Sequence, residues 1–316
     1  MASADFVIGI DGGGTKTLGA IANLSGEIIS QYEVGSTNPH SNSLDVVREN
    51  LGSLTSHLLG AAGASAEQVG AICLGMAGVD RPEDKPMIKG LVNEFLPRAE
   101  VLPVNDGVIA LTGGALRPYG IIVISGTGSI AFGINENAER VRAGGWGHIL
   151  GDEGSGYTIA LRGLRAIMRA HDGRIAPTRL QNLILDHLHL ERPDQLLGWI
   201  RDINANKAEI AALSRLVHQA AAEGDATAKQ ILTSEAAELA EIVEAVARKL
   251  FPAGEKDYDV IVAGGNLRKA DAYFEMFRSA LAQRLPGIDI IRPRKEPVEG
   301  AVILAIDLLK NGTVVA

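Results

Sequence analysis

The sequence predicts an α/β protein built from two related halves, and three observations favour this fold class. At 316 residues the chain is longer than one hydrophobic core usually supports. Two glycine-rich loops, beginning at Asp11 and Ser125, each follow a short apolar run typical of a strand. The order of strands and helices in the first half starts again after the second loop, as expected for diverged copies of one unit.

The first half predicts the order β-β-β-α-β-α-β-α. Apolar runs at 6–10, 17–22 and 27–34 are separated by glycine turns, which suits three antiparallel strands. Apolar residues three or four apart between Leu44 and Leu58 predict a helix. The elements that follow are a buried strand (69–75), a helix (83–95), a short strand (101–104) and a helix from about 107.

The second half begins with strands and continues with helices. The predicted strands are 121–125, 129–134 and 140–143, and the chain is mainly helical between 155 and 250. A strand (259–263), a helix (268–285), a strand (288–291) and a helix (298–310) complete it. The helical stretch is therefore an insertion in a repeated α/β unit.

The composition and net charge of the chain limit the classes of molecule that it can bind. A hydrophobic fraction of 46% with 22% charged residues is ordinary for a soluble globular protein. The formal net charge of −8 argues against general binding to nucleic acid or to anionic membranes, since both require a basic face. An anionic substrate must then be held by local backbone amides and a few cations.

The single cysteine, Cys73, lies in an apolar run and is interpreted as a small buried hydrophobic residue. One cysteine allows neither a disulfide within the chain nor a cysteine-ligated cluster. The N-terminal residues do not resemble a secretory signal, and no apolar stretch reaches the length of a membrane span. These observations predict a cytoplasmic protein.

The first glycine loop has the sequence Asp-Gly-Gly-Gly-Thr-Lys-Thr and connects two predicted strands. Glycine amides approach a phosphate without a Cβ in the way, and threonine hydroxyls such as Thr17 add donors. Asp11, at the end of its strand, could hold Mg²⁺, through water. The alternative is a hairpin loop rich in glycine for conformational reasons alone, with Lys16 facing water. The candidate phosphate ligands are Gly12, Gly13, Gly14, Thr15 and Lys16.

The second loop, Ser-Gly-Thr-Gly-Ser, has the same strand–turn–strand context. Alone it is equally compatible with a plain hairpin. Two such loops at equivalent places in related halves favour a phosphate chain held from both sides. The candidate phosphate ligands here are Ser125, Gly126 and Thr127, and Gly128 is a candidate substrate contact.

Asp106 is the candidate catalytic residue. It follows a short apolar strand and begins a predicted helix, where a carboxylate could act as the general base for an attacking hydroxyl. The competing interpretation is structural, because Asp-Gly is a common turn signal and Asp is a common helix cap.

Three further segments carry candidate contacts. The glycine-dense stretch 144–156 suits a sugar-binding loop, or else a flexible connector with Asp152 and Ser155 as helix caps. Asn38 precedes a proline and could face a substrate or only set a turn. Gly264 and Gly265 could pack beneath an adenosine or form an ordinary strand–helix junction.

Over nearly its whole length the chain resembles the sugar kinases of the actin–hexokinase superfamily. Within that superfamily it is similar to the N-acetylglucosamine kinase branch, which is grouped with the BadF/BcrA-type ATPases. The motifs that carry the resemblance are Gly-Ile-Asp-Gly-Gly-Gly-Thr-Lys-Thr (9–17), Ile-Ser-Gly-Thr-Gly-Ser (124–129) and Gly-Gly-Trp-Gly-His…Gly-Asp-Glu-Gly-Ser (144–155).

The resemblance implies two actin-like (ribonuclease H-like) α/β domains, each with a mixed five-stranded sheet, flanking an interdomain cleft. The domains would cover 1–115 and 116–297, with the helical insertion at 155–250 and the helix 298–316 packing back on the first domain. It also implies ATP and Mg²⁺ as cofactors, phosphate ligands at Gly13, Thr15 and Thr127, a catalytic Asp106, and a homodimer.

The resemblance further implies sugar contacts at Asn38, Gly145, Trp146, Gly147 and Asp152, and an adenosine segment at Gly264 and Gly265. The chain departs from the animal enzymes at Met76-Ala77-Gly78-Val79-Asp80, where those enzymes carry a Ser-Gly-Gly.

The expected activity is transfer of the ATP γ-phosphate to the 6-hydroxyl of N-acetylglucosamine. Glucosamine or N-acetylmuramic acid are alternative substrates. Two alternative functions belong to other classes of protein. One is an ATPase activator of a 2-hydroxyacyl-CoA dehydratase, which needs cluster-binding cysteines, and the other is a non-catalytic sugar sensor.

Overall fold

The computed structural model describes residues 4–77, 79, 83–202, 206–252 and 254–312. The chain divides into two units, each with its own hydrophobic core. Unit 1 comprises Met1–Gly120, Ile134–Glu139 and Pro293–Ala316, and unit 2 comprises Ile121–Gly133 and Arg140–Arg292.

The elements follow the order predicted from the sequence. Those before the second glycine loop are β1 (Phe6–Gly12), β2 (Lys16–Asn23), β3 (Ile28–Gly35), α1 (Leu44–Ala62), β4 (Val69–Met76), α2 (Asp84–Asn93), β5 (Glu100–Asn105) and α3 (Asp106–Ala115). Those after it are β6 (Gly120–Ser125), β7 (Ser129–Ile134), β8 (Arg140–Gly144), α4 (Gly156–His171), α5 (Leu180–Leu188), α6 (Leu196–Asp202), α7 (Lys207–Ala212), α8 (Ser214–Ala222), α9 (Ala226–Leu250), β9 (Asp259–Ala263), α10 (Gly265–Lys269), α11 (Asp271–Arg284), β10 (Asp289–Ile291) and α12 (Pro297–Asn311).

Unit 1 contains a mixed five-stranded sheet in the order β3-β2-β1-β4-β5. β1, β2 and β3 form an antiparallel meander, which confirms the three-strand prediction, while β4 and β5 extend the sheet in parallel. Because β1 is central and buried along most of its length, the loop that follows it rests on a rigid support. The carboxyl ends of β1, β4 and β5 share one edge of the sheet, where α/β proteins place their ligands.

α12 returns to unit 1 and packs on β1, β4 and α3. Glycines permit this close approach: a Cβ on Gly9 would lie 2.6 Å from the Val302 nitrogen. A Cβ on Gly300 would collide with the Ile109 carbonyl oxygen and lie 2.5 Å from the Gly113 nitrogen. The helix therefore passes β1 and α3 at a distance that larger side chains would prevent.

Unit 2 contains a second mixed five-stranded sheet, in the order β10-β9-β6-β7-β8. β6, β9 and β10 run parallel, so their carboxyl ends also share an edge. The inserted helices α4 to α9 supply much of an aliphatic core, and α9 is its longest element at 25 residues. The prediction of a mainly helical segment between 155 and 250 is confirmed.

The helix predicted over 268–285 is two helices. α10 ends at Lys269 and α11 starts at Asp271, because Ala270 adopts an extended backbone with φ −111° and ψ 90°. The helical spacing of apolar residues continues across this break. A prediction from periodicity therefore merges the two helices into one.

Cys73 is buried in β4, and burial raises the pKa of its thiol well above the ordinary range. The thiol therefore stays protonated and behaves as a core residue, as predicted. Within the described ranges, no helix is long and apolar enough to cross a bilayer.

Candidate active site

The first glycine loop is a tight turn between β1 and β2. The Gly13 nitrogen donates to the Lys16 carbonyl oxygen at 2.9 Å and closes the turn. A Cβ on Gly12 would lie 2.8 Å from Thr37 Oγ1, whereas one on Gly14 would meet no heavy atom of the described residues within 4 Å. Gly14 and Thr15 are exposed. The tip of the loop is therefore open to a ligand, and its base is closely packed.

The loop is fastened to the segment that follows β3. Thr37 donates its backbone N–H to Thr17 Oγ1 at 3.1 Å, and the two hydroxyls share a 2.9 Å hydrogen bond. Ser36 Oγ donates to the Gly13 carbonyl oxygen at 3.0 Å. The Thr17 hydroxyl, expected from the sequence to be an additional donor to phosphate, is fully buried in this junction. Thr17 therefore holds the loop in place.

Lys16 is exposed and forms an ion pair with Glu33 on the neighbouring strand at 2.7 Å. The hydrogen bond to Glu33 raises the pKa of the Lys16 ammonium. The structure therefore shows Lys16 in a cross-strand pair at the surface.

Asn38 is half-buried beside the first loop. Its side-chain Oδ1 accepts from the His40 nitrogen at 2.8 Å, and its backbone oxygen accepts from Asn42 Nδ2 at 3.1 Å. Its own nitrogen donates to Ser36 Oγ at 3.2 Å. These bonds form a rigid Asx turn, so both interpretations of Asn38, a turn and a ligand contact, are compatible with its position.

Two carboxylates lie at the same edge of the unit 1 sheet, Asp11 one residue before β1 ends and Asp106 directly after β5. Asp11 is paired in register with Gly75 of β4, and the residue before Asp106 is paired with Met76 of the same strand. Glu296, which precedes α12, adds a third carboxylate close enough to act on Asp11. Burial first, then repulsion from Asp106 and Glu296, raises the pKa of Asp11 to about 6, and Lys16 lowers it.

Asp106 is the first residue of α3. The helix cap is Asn105, whose Oδ1 accepts from the Gly107 nitrogen at 2.8 Å. Asp106 Oδ1 accepts from the same nitrogen at 3.0 Å. The alternative in which Asp106 caps the helix is therefore wrong, because Asn105 occupies that position. Asp106 is half-buried, on the edge where β5 ends.

The carboxylate edge suits a hard divalent cation. Asp11 has neighbouring negative charges and a raised pKa, and a cation would relieve both the repulsion and the burial of charge. Mg²⁺ is commonly bound by one or two carboxylates together with substrate phosphates. Among the described residues no group of three or more His, Cys, Asp or Glu is placed to hold a metal ion.

In unit 2 the second glycine loop is supported from below. Ser125 Oγ, fully buried, donates to the Gly154 carbonyl oxygen at 2.6 Å. The Gly126 carbonyl oxygen accepts from the Gly156 nitrogen at 2.7 Å. Thr127, at the loop tip, is exposed. The Ser125 hydroxyl, a candidate phosphate ligand, is thus hydrogen-bonded within the protein. The Thr127 side chain is accessible to a ligand.

The β9–α10 junction packs against the same loop. Gly264 has φ +83°, and a Cβ there would collide with the Ser125 carbonyl oxygen and lie 2.9 Å from the Ser125 nitrogen. Asn266 Nδ2 donates to Ser125 Oγ at 3.1 Å. A Cβ on Gly265 would meet no described heavy atom within 4 Å. The predicted adenosine segment and the second loop therefore lie together, with Gly265 on the open side.

The stretch 144–156 continues this site in unit 2. Gly145 and Gly147 have positive φ values of 68° and 84°. Trp146 between them is 62% exposed, and the Arg142 guanidinium lies 4.5 Å from its ring centroid. Ser155 caps α4 by accepting from the Thr158 nitrogen at 3.2 Å, as the connector interpretation of this stretch expected. An aromatic face is thus presented on a glycine-rich support.

Asp152 is not a helix cap. It is 3% exposed, has φ +62°, and its Oδ2 lies 2.6 Å from Lys207 Nζ. Its Oδ1 accepts from the Ser129 nitrogen at 3.3 Å, and a Cβ on Gly128 would lie 3.0 Å from that oxygen. Asp152 therefore lies directly against the second loop. Sequence reasoning missed Lys207, which is 55 residues further along the chain and carries no motif.

Glu235 of α9 is a second residue that sequence reasoning missed. Its carboxylate accepts from the Gly154 nitrogen at 2.6 Å and from Thr158 Oγ1 at 2.8 Å, and pairs with Arg162 Nε at 2.6 Å. The signal was available, because Glu235 is a charged residue on the apolar face of a long helix. It fixes the base of the 144–156 loop.

Each unit thus gathers its own predicted residues. Unit 1 brings together Asp11, the first loop, Asn38 and Asp106, and unit 2 brings together the second loop, Asp152 and Gly264. Of the departure noted at 76–80, Gly78 and Asp80 lie outside the described residues.

Comparisons with known proteins agree with these motifs. A sequence model of the BadF/BadG/BcrA/BcrD ATPase family matches residues 8–305. An N-acetylmuramic acid/N-acetylglucosamine kinase from Clostridium acetobutylicum is 39% identical over 95% of this chain and 98% of its own length. An N-acetyl-D-glucosamine kinase from Dictyostelium discoideum is 30% identical over 98% of this chain and 100% of its own.

Solved structures share the fold. A protein from Chromobacterium violaceum, provisionally named N-acetylglucosamine kinase, is 27% identical with a TM-score of 0.66, over 95% of this chain and 98% of that one. A ROK family glucokinase from Streptomyces griseus, in complex with glucose and AMPPNP, is 19% identical with a TM-score of 0.55, over 97% and 100% of the two chains. The likeness to the glucokinase concerns the fold alone.

Proposed function

This chain belongs to the BadF/BadG/BcrA/BcrD ATPase family, and we propose that it is an ATP-dependent hexosamine kinase acting on the 6-hydroxyl of N-acetylglucosamine. The observation that carries the proposal is the 39% identity, over almost the whole chain, to a kinase named for N-acetylmuramic acid and N-acetylglucosamine. The positions of Asp106 and the two glycine loops are compatible with such a reaction.

Asp106 is the proposed base. As the sugar oxygen attacks the γ-phosphorus, the hydroxyl proton passes to the Asp106 carboxylate, and the bond to the ADP oxygen breaks. A base at the start of a helix is held firmly, because Asn105 fixes the first turn of α3. Support for this role comes from its half-buried place beside Asp11 at the end of the parallel strands.

The two glycine loops are the proposed ATP phosphate ligands. Gly14 and Thr15 form the exposed tip of a turn that half-buried Gly13 closes, and Thr127 presents an exposed hydroxyl above a fixed base. Gly264 and Gly265 would lie beneath the adenosine. Asp11 would hold Mg²⁺, which when bound neutralises phosphate charge during transfer.

The proposed sugar ligands are Asn38, Gly128, Gly145, Trp146, Gly147 and Asp152. Asp152 is suited to accept sugar hydroxyl hydrogens, because Lys207 and the Ser129 nitrogen fix its carboxylate. Trp146 offers an exposed aromatic face, which suits the apolar side of a pyranose ring.

A substrate panel tests the activity. ADP release is measured with N-acetylglucosamine, glucosamine, N-acetylmuramic acid, N-acetylmannosamine and glucose. We expect N-acetylglucosamine to give the highest kcat/KM, and activity on N-acetylmuramic acid would widen the substrate class. ATP hydrolysis at the same rate with and without every sugar would rule out the kinase. It would favour an ATPase activator instead, although a single buried cysteine cannot supply a cluster-binding set.

Replacing the base gives a sharper test. We expect Asp106→Asn to lower kcat by about 10² to 10⁴-fold, because the amide cannot accept the hydroxyl proton. Sugar affinity measured by calorimetry should stay within a few fold. Asp289→Asn, an exposed position on β10, is the control and should leave kcat unchanged. Near-normal turnover in Asp106→Asn would remove Asp106 from the mechanism.

Two further properties belong to the same proposal. A kinase that consumes ATP is expected in the cytoplasm. We also propose a homodimer, which light scattering at several protein concentrations would test.

A further inference from the structure

A groove of about 530 Å³ lies on unit 2 between α4 and α9. It is separate from the second glycine loop and from the 144–156 stretch, because none of their residues lines it. Its polar lining comes from three arginines of α4 and three neutral polar residues of α9. They are Arg162, Arg165, Arg169, Thr227, Gln230 and Ser234.

The arginines form one cationic face. Arg162, Arg165 and Arg169 are three and four residues apart on α4, so their side chains lie along one side of the helix. Arg162 is tied to Glu235 at 2.6 Å and to Ser234 Oγ at 2.7 Å. Arg165 and Arg169 are exposed, and neither has an ion-pair or hydrogen-bond partner among the described residues.

Nearby acidic groups leave this charge uncompensated. In the part of the chain that the structure describes, no carboxylate lines the groove. Asp225, which precedes α9, accepts from Thr178 Oγ1 at 2.8 Å and from the Arg179 and Ala228 nitrogens. Two guanidinium groups thus remain available on a protein whose net charge is −8.

The opposite wall can complete an anion site. Thr227, Gln230 and Ser234 carry hydroxyl and amide donors and add no charge. Guanidinium groups bind phosphate oxygens through two parallel hydrogen bonds, and they do so better than an ammonium group. The volume of the groove falls within the range of small-molecule sites, about 300 to 1,000 Å³.

We propose that the α4–α9 groove is a second ligand site, which binds a phosphorylated small metabolite through Arg165 and Arg169. The bound group is a phosphate monoester or diphosphate, because its oxygens match two adjacent guanidinium forks. This site does not depend on the kinase reaction, since it shares no residue with the proposed ATP or sugar ligands.

Arginine side-chain NMR tests the site directly. The Nε–Hε signals of ¹⁵N-arginine-labelled protein are followed during titration with N-acetylglucosamine 6-phosphate, pyrophosphate and inorganic phosphate, with Arg165→Gln and Arg169→Gln assigning the two signals. Neither glycine loop contains an arginine, so these signals report the groove and not the ATP site. We expect saturable shifts at both arginines.

The three probes separate two sources of the same chemistry. Tighter binding of the ester than of inorganic phosphate identifies a phosphorylated metabolite as the ligand, and the reverse order overturns that assignment. Sodium chloride at equal ionic strength must not reproduce the shifts. Shifts that follow ionic strength alone would mean that the groove has no specific site.

The variants give an independent measure. The double variant Arg165→Gln/Arg169→Gln should weaken binding of the ester at the groove about a hundredfold, since each lost guanidinium contributes about tenfold. The shift of the Arg162 signal follows the residual binding, measured with saturating N-acetylglucosamine present because Glu235 connects Arg162 to the 144–156 loop. Arg278→Gln removes an exposed arginine that pairs with Glu275 on α11, and it should leave the affinity unchanged. Unchanged affinity in the double variant would overturn the proposal.

Discussion

Asp11 shows how a partly buried carboxylate can oppose stability. Its pKa is about 6 in the folded protein, against an ordinary value of 3.8, because the side chain is partly withdrawn from water and is repelled by the charges of Asp106 and Glu296. The unfolded chain therefore ionises this group at lower pH than the folded one does. The stability that the bound proton provides is complete below about pH 4, where the folded and unfolded states are both protonated. It is lost as the pH rises through about 6, where the folded state ionises as well.

Removing this charge should stabilise the protein. We expect Asp11→Asn to raise the free energy of unfolding at about pH 8 by up to about 3 kcal/mol, because a pKa shift of one unit corresponds to about 1.4 kcal/mol. Urea unfolding at about pH 8 and about pH 4 measures the effect, which should shrink at the lower pH. Asp289→Asn is exposed and should change neither value. A less stable Asp11→Asn at about pH 8 would contradict this account.

Single residues also mark the limit of sequence reasoning. The glycine loops and Ser155 were predictable, because glycine and capping signals are local. The contacts of Thr17 and Lys16 were not predictable, since their partners Thr37 and Glu33 lie in other segments of the chain. Lys207 reaches Asp152 across 55 positions, which no local pattern records.

At the scale of elements, unit 1 depends on how closely α12 approaches its neighbours. Gly300 in α12 faces Ile109 and Gly113 of α3, and Gly9 lies under the same helix in β1. Alanine normally improves a helix by about 1 kcal/mol over glycine. Here the gain is expected to be outweighed, because a methyl group would push the two helices apart.

A matched pair of helix substitutions isolates this effect. We expect Gly300→Ala to lower the free energy of unfolding by about 1 to 3 kcal/mol, the usual cost of overpacking. Gly90→Ala in α2, where a Cβ would meet no described heavy atom within 4 Å, should raise it by about 0.5 to 1 kcal/mol. Chemical denaturation of the two variants gives the comparison. Equal signs would show that helix propensity, and not the crossing, decides.

The elements themselves were largely predictable. Apolar periodicity identified β9 to the residue and placed α12 within one residue at each end. It failed at Ala270, where the backbone is extended although the surrounding pattern stays helical. Breaks of this kind are set by backbone geometry, which composition does not encode.

For the whole molecule, the two units can be observed separately. Both tryptophans, Trp146 and Trp199, belong to unit 2, so tryptophan fluorescence reports that unit. Circular dichroism reports the helices of both. α12 contributes the buried residues Val298, Ala301, Val302, Leu304 and Ala305 to unit 1.

Truncation after Glu296 should therefore affect the two signals differently. We expect loss of α12 to expose the apolar face of β1 and β4, to bind the dye ANS and to abolish a cooperative unit 1 transition by circular dichroism. The tryptophan transition should persist. A full-length chain with Lys310→Gln, exposed in the last turn of α12, is the control. Simultaneous loss of both transitions would show that the units fold as one.

The return of α12 to unit 1 has a consequence for biosynthesis. The residues of unit 2 are translated between α3 and α12, so the β1–β4 face stays uncovered on the ribosome while unit 2 is made. Unit 2 has all its strands once β10 emerges, and it can close its core first. The nascent chain thus carries an apolar sheet face over some 180 codons of translation, from about residue 116 to 296. That interval is when a chaperone would be most useful to this protein.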